Sequence, residues 1–161
     1  MSNVQEQTFE EISAVWDFLA SQWEEASGAK YFRQTVEWAM GEAGYQPPES
    51  GEYVVADVLC GNVTGVALPE KILERATELI LIDGSQKMLD LNVVELGLFY
   101  LKRGLNLPVF RELRLDARTA PFPIGPESVD FVYSGLGGRY WGTNSEFVDG
   151  LAESVNGGGL L

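Results

Sequence analysis

The chain of 161 residues contains no histidine, a single cysteine (Cys60), and 11 lysines and arginines against 24 aspartates and glutamates. Without histidine there can be no His-based catalytic triad, and most His-containing metal sites are excluded. Acid–base work, where any is needed, falls to Asp, Glu, Tyr, Lys or Cys. One cysteine excludes an internal disulfide and makes a cytoplasmic setting the expectation. The formal charge of −13 repels phosphate backbones, so no nucleic-acid partner is expected. The cations Lys102, Arg103, Arg111, Arg114 and Arg118 are scattered and read as solvated faces rather than a basic patch. No stretch approaches the roughly 20 apolar residues that cross a bilayer, so no membrane partner is expected. The polar, acidic start from Met1 to Glu11 is not a secretory signal.

What is present is an ordinary globular balance, 45% apolar and 22% charged, on a length sufficient for one substantial core. Thr8-Phe9-Glu10-Glu11 reads as a capping box. Ile12, Val15, Trp16, Leu19 and Trp23 then recur at helical spacing. A second helix is expected from about Lys30 to Met40, broken by Gly41, Gly44 and the linker Pro47 to Gly51. Residues 1–50 thus form a helical cap and linker. Beyond them the pattern alternates between short apolar strands and helices. Tyr53–Val58, Leu79–Ile82, Val109–Leu115 and Val129–Tyr133 read as strands. Helices are expected at about Leu68–Ala76 with Pro69 in the first turn, at Ser85–Arg103 closed by Gly104, and from a capping box at Thr143-Asn144-Ser145-Glu146 to about Val155. Asn156 to Gly159 reads as a turn, with a fifth strand beginning at Leu160-Leu161. Strand–helix alternation implies right-handed parallel crossovers. The expected fold is α/β, a Rossmann-like three-layer sandwich on a mainly parallel sheet. Strand one should lie centrally, strands two and three to one side of it and strand four to the other.

Ligands of such sheets bind outside the carboxyl ends of the strands, near the point where strand order reverses. Three strand ends carry suggestive residues. Val54 to Gly65 reads V-V-A-D-V-L-C-G-N-V-T-G, a glycine loop that serves either close backbone approach to a ligand or an ordinary strand-to-helix turn. Leu79 to Leu89 reads L-I-L-I-D-G-S-Q-K-M-L. Asp83 lies about 20 residues beyond Gly61, the offset of a ribose-binding carboxylate, and it also suits a helix cap. Leu115-Asp116-Ala117 ends the third strand before a proline-rich loop. Tyr31, Trp23, Tyr140 and Trp141 are candidates to wall a pocket, with core packing as the alternative for the helical ones.

Taken together, D-V-L-C-G-N-V-T-G, D-G-S-Q-K-M-L, D-A-R-T-A-P-F and V-D-F-V resemble, in order, the motifs of class I S-adenosylmethionine-dependent methyltransferases of the small-molecule type. The resemblance covers about Tyr53 to Leu161 and implies S-adenosylmethionine as cofactor and a small-molecule methyl acceptor as partner. It places Cys60, Gly61 and Gly65 at the methionine end of the cofactor and has Asp57 orient that loop. It gives Asp83, with Gly84 beside it, to the ribose diol, and Met88 to the neighbourhood of the adenine. Asp116 would accept from the adenine amino group with Ala117 beside the ring, and Ser134 and Gly135 would face the transferred methyl. Residues 51–161 would form the cofactor-binding domain, and in that family an N-terminal helix often roofs the cleft, a place suited to Trp16, Leu19 and Trp23.

The sequence departs from the family pattern in four respects. Leu59 stands where the loop has its first glycine, the loop is one residue longer, and Asn156 replaces a proline. The family sheet has seven strands, whereas this chain ends at the fifth, so the expectation is a sheet incomplete at its C-terminal side, finished by a missing segment or a partner. Two other readings stay open. One is a non-catalytic Rossmann-like interaction module or inactive fragment. The other is a nicotinamide-dependent oxidoreductase, which the absence of G-x-G-x-x-G disfavours.

Overall fold

A computed structural model describes residues 7–23, 28, 30–135, 137, 141 and 143–160. Among these, strands β1 (Val54–Val58), β2 (Glu78–Asp83), β3 (Val109–Arg114), β4 (Val129–Tyr133) and β5 (Val155–Leu160) form one sheet in the order β3-β2-β1-β4-β5. Every pairing is parallel, with Val55 opposite Leu79 and Phe131, and Leu79 opposite Phe110. The central place of β1, with β2 and β3 on one side and β4 on the other, is the arrangement expected from the sequence. Strand order reverses between β1 and β4, and a crevice opens at the carboxyl ends of the strands around this point.

Helices α1 (Phe9–Leu19), α2 (Lys30–Ala43), α3 (Thr64–Ala67), α4 (Glu70–Leu73), α5 (Gln86–Arg103) and α6 (Ser145–Ser154) accompany the sheet. The inner strands β1, β2 and β4 are largely apolar on both faces because both are covered, whereas the edge strand β3 is mostly exposed. Val55, Leu79, Leu81 and Phe131 pack against Met40 of α2, Ile72 and Leu73 of α4, and Leu89, Leu96 and Tyr100 of α5. Ala56, Val58, Ile80, Ile82 and Val132 face the other way, onto Phe147 and Leu151 of α6 and onto Phe122 and Ile124. Each such side chain, fully buried, contributes roughly 1.5–3 kcal/mol.

The helix ends follow local chemistry. Thr8 and Glu11 form the expected capping box on α1. Ser85 caps α5 through the Met88 amide, and Gly104 closes it at φ +65°. Three boundaries differ from the sequence reading. The helix expected over 68–76 is the shorter α4, and a separate helical turn, α3, precedes it, the two parted where Leu68 adopts an extended ψ of 145° ahead of Pro69. The cap of α6 is Asn144 rather than Thr143; its side chain accepts from the Phe147 amide and donates to the Ala117 and Ala120 carbonyls. β5 starts at Val155, directly after α6, and takes up the glycines read as a turn. Its register against β4 is irregular between Val129 and Phe131, a distortion glycine tolerates.

Behind the loop after β1 sits a polar cluster inside the core. Asp57 is 2% exposed, and its Oδ2 accepts from the Thr64 hydroxyl at 2.7 Å. Thr64 Oγ1 accepts from Asn92 Nδ2, which also donates to the Gly61 carbonyl. Asp57 Oδ1 has no hydrogen-bond partner among the described residues. Burial pushes the Asp57 carboxyl up to about 7, against the Thr64 hydrogen bond and with a smaller push from the charge of Asp83. In the unfolded chain the same group ionises near pH 4. The native state therefore holds a proton that the unfolded state has released. The stability this proton provides is complete below about pH 4 and is lost as the pH rises through about 7. Its ceiling is about 4 kcal/mol. Urea unfolding at pH 5 should show a more stable protein than at pH 8, and Asp57→Asn should flatten that difference. An undiminished difference in the variant would show that the proton sits elsewhere.

Candidate functional site

The crevice at the carboxyl ends of β1, β2 and β3 is a cleft of about 380 Å³. Its base comes from the loop after β1. Leu59 and Gly61 both adopt φ +55°, the left-handed conformation that favours glycine. The family resemblance has a glycine at the Leu59 position, and the backbone there is what a glycine would suit. The leucine side chain folds toward Gly137, where an added Cβ would lie 2.8 Å from Leu59 Cδ1. At Gly61 a Cβ would lie 2.7 Å from Trp23 Nε1, so the indole rests directly on the glycine.

Asp83, at the end of β2, holds two loops together. Its Oδ2 accepts from the Gly61 amide at 2.8 Å and its Oδ1 from the Ser85 amide at 2.9 Å. The Gly84 amide acts on the same carboxylate. Burial raises its pKa, and these backbone hydrogen bonds work in the opposite direction. Met88 is buried on the first turn of α5 and lines the cleft together with Gly84. Across from them, Asp116 is paired with Arg118 through Nε at 2.9 Å and Nη2 at 2.7 Å. Hydrogen bonds from Arg118 hold the Asp116 carboxyl below its ordinary value. The same environment thus moves the two cleft carboxylates in opposite directions.

The roof is α1 and the turn that follows it. Phe9, Ile12 and Trp16 face the cleft at helical spacing, and Trp23 meets Trp16 edge-on at 5.0 Å. Polar contacts fix the helix over the turn between β2 and α5. Ser13 Oγ donates to the Gly84 carbonyl at 2.9 Å, and the Ser85 hydroxyl donates to Asp17. Arg114 Nη2 reaches Glu10 at 2.7 Å, with its guanidinium 4.9 Å from the Phe9 ring. Asn62 Nδ2 donates to the Ala20 carbonyl from the glycine loop. Of the three residues expected near the cleft, Trp16 and Trp23 line it and Leu19 does not.

Of the residues the sequence singled out, Gly61, Asp83, Gly84, Met88, Asp116 and Ala117 come together on the cleft. Five others do not line it. Asp57 and Cys60 are buried in the core behind the loop, where burial pushes the Cys60 thiol up and away from reactivity. Gly65 faces a separate hollow beside α5, and its carbonyl accepts from Arg33. Ser134 donates to the Val58 carbonyl at 2.6 Å, and Gly135 is exposed. Among the aromatic candidates Trp23 walls the cleft, Tyr31 is exposed, and Trp141 stacks on Phe147 in the core. Tyr140 lies outside the described residues. The sequence reading missed Phe9, Leu115, Arg118 and Gly137. Phe9 carried a signal, since it precedes Ile12 and Trp16 at helical spacing. Arg118 carried none, because its partner two residues away is fixed only by the turn after β3.

No protein-family model matches the sequence, and no curated protein matches it significantly. Solved structures do resemble it. A Leishmania major S-adenosylmethionine-dependent methyltransferase of the DUF858 family aligns over 94% of this chain and 58% of its own, at 14% identity and a TM-score of 0.60. An Aquifex aeolicus S-adenosylmethionine-dependent methyltransferase aligns over 87% and 67%, at 19% identity and a TM-score of 0.58. A protein of Methanococcus maripaludis, proposed to be an enzyme of the same kind, aligns over 99% and 64%, at 14% identity and a TM-score of 0.56. The chain thus spans about half to two thirds of the length of such neighbours. At these identities the likeness is one of architecture: the chain shares the Rossmann-like α/β fold of these structures.

Proposed function

We propose that the cleft binds S-adenosylmethionine and that the chain serves methyl transfer to a small-molecule acceptor. The observation that carries this reading is Asp83. It stands at the end of a central strand, is oriented by the Gly61 and Ser85 amides, and lines a cleft bordered by a left-handed glycine, with lone pairs beyond those two hydrogen bonds to offer a ligand. Two such lone pairs suit the two hydroxyls of a ribose. Met88 and Ala117 offer apolar surface for an adenine ring, and Asp116 an acceptor for its amino group. On this reading 51–161 is the cofactor-binding domain and 1–50 its cap. The cofactor supplies an electrophilic methyl on a sulfonium, and in-line transfer asks the protein mainly for positioning. A base is needed only for an acceptor that must lose a proton. Both carboxylates that line the cleft, Asp83 and Asp116, have binding roles in this reading.

A second reading, a binding module without catalysis, draws on Leu59 and Trp23. Their side chains take up room above the glycine loop, where the methionine end of the cofactor would lie. Titration calorimetry with S-adenosylmethionine and S-adenosylhomocysteine separates the two. Under the methyltransferase reading the parent chain binds both, and Asp83→Ala weakens binding about ten- to a hundredfold. That substitution also leaves the Gly61 and Ser85 amides without their acceptor, so about 1–3 kcal/mol of stability should go with it. Thermal unfolding in parallel distinguishes the two losses. Unchanged affinity in Asp83→Ala would mean the ribose is not there. Heat from neither ligand, with no rescue by Leu59→Gly, would favour the module.

Leu59→Gly itself should strengthen binding at little cost in stability. Relief of the left-handed backbone gives back about 1–2 kcal/mol. Greater chain entropy costs roughly 0.5–1 kcal/mol, and lost packing on Gly137 takes much of the remainder. A net stability change within about 1 kcal/mol is expected from urea unfolding, and a clearly larger loss would show that the leucine is a structural plug rather than a tolerated substitution.

A further inference from the structure

The Asp116–Arg118 pair is more constrained than a surface ion pair. A carboxylate offers about four lone-pair positions, two on each oxygen. Asp116 Oδ1 accepts from both the Arg118 amide at 3.1 Å and Arg118 Nε at 2.9 Å, which fills its two positions. Oδ2 accepts from Arg118 Nη2 at 2.7 Å. One acceptor position therefore remains among the described residues, on Oδ2, and both side chains line the cleft. The guanidinium is itself anchored, with Nη1 donating to the Gln7 carbonyl at 3.3 Å. Asp116 is thus held in one orientation, with three donors from a single residue and one direction left for a fourth.

We infer that Arg118 is a positioning residue that leaves Asp116 a single aimed acceptor, and so selects a purine bearing an amino rather than an oxo group at its six position. This rests on the cofactor reading above and adds a determinant of which nucleoside the cleft takes. An amino group donates one N–H to the remaining position. An oxo group there presents a lone pair to an ionised carboxylate and is repelled. Arg118 keeps Asp116 ionised to a lower pH than a free carboxyl would be. Among the described residues the other charged groups around the cleft are Asp83 at the end of β2, Asp17 of α1 beside it, and the Arg114–Glu10 pair between β3 and α1. They are common to the parent and the variants and so cancel in the comparison.

The test is titration of the full chain with S-adenosylhomocysteine and S-inosylhomocysteine, from pH 7.5 down to pH 4.5. The parent should prefer the adenosyl ligand by about tenfold or more. Arg118→Ala should reduce that preference, and its affinity for the adenosyl ligand should fall at higher pH than the parent's does, as Asp116 returns to its ordinary range. Asp116→Asn, which can donate to an oxo group, should shift the preference toward the inosyl ligand, and it gives the answer should Arg118→Ala not fold. An unchanged preference and pH profile in Arg118→Ala, or tighter binding, would overturn the inference and make Arg118 a mask on Asp116. A parent that binds the adenosyl ligand with no base preference would sink the inference alone. A parent that binds neither ligand would sink the cofactor reading and this inference with it.

Discussion

The site hangs on the carboxylate of Asp83 and the two backbone amides it accepts from. Gly61 belongs to the loop after β1, and Ser85 is the cap of α5 after β2. One side chain therefore sets the distance between the carboxyl ends of two neighbouring strands. Charged acceptors make the stronger class of hydrogen bond, which is why a partly buried carboxylate is retained here although burial disfavours its charge. Gly61 reaches this geometry at φ +55°, and its carbonyl is fixed from behind by Asn92. The loop is thus held from the cleft side by Asp83 and from the core side by the Asp57–Thr64–Asn92 chain.

The roof depends on the same turn. Of the contacts that hold α1, those to the Gly84 carbonyl and to Ser85 fall on residues next to Asp83. Anything that moves Asp83 moves the ground on which α1 stands. Trp23 completes the circuit, since its indole rests on Gly61, the residue that donates to Asp83. Loop, strand end, helix cap and roof form one closed set of contacts around the cleft. Such an arrangement pre-organises a ligand's surroundings and leaves few independent parts to adjust when one binds.

How much of this was legible in the sequence depended on the range of the interaction. The strands β1, β2 and β4 were legible because buried parallel strands are apolar runs, β3 because its residues alternate, and the caps at Thr8, Ser85 and Gly104 because their chemistry is local. Asp83 was legible as a carboxylate at a strand end at a telling offset from Gly61. Pro69 marked the start of α4, which it caps, whereas the helical turn Thr64–Ala67 before it lies in the glycine loop and carried no signal of its own. The glycines of 157–159 were read as a turn because glycine is weak in strands, and pairing with β4 overrode that preference. Cys60 and Gly65 sit within the motif-like stretch yet face the core and the far side, because a left-handed residue on either side of Cys60 redirects the chain. No spacing rule reports which way such a turn sends its side chains.

The charge of the chain acquires a local meaning at the cleft. With 24 acidic residues against 11 basic ones, cations are scarce. Arg114 and Arg118 nevertheless stand at the rim, each bonded to the N-terminal region, at Glu10 and at the Gln7 carbonyl. Each also binds a residue at a strand end, the Gly84 carbonyl or Asp116. Two carboxylates facing one cleft would repel each other and any electron-rich ligand if both were bare. One is moderated by backbone amides and partial burial, the other by a forked guanidinium. The two remain chemically distinct acceptors within one small volume. A site with two different acceptors, each aimed by its own donors, can tell the two ends of a nucleoside apart, which neither carboxylate could do alone.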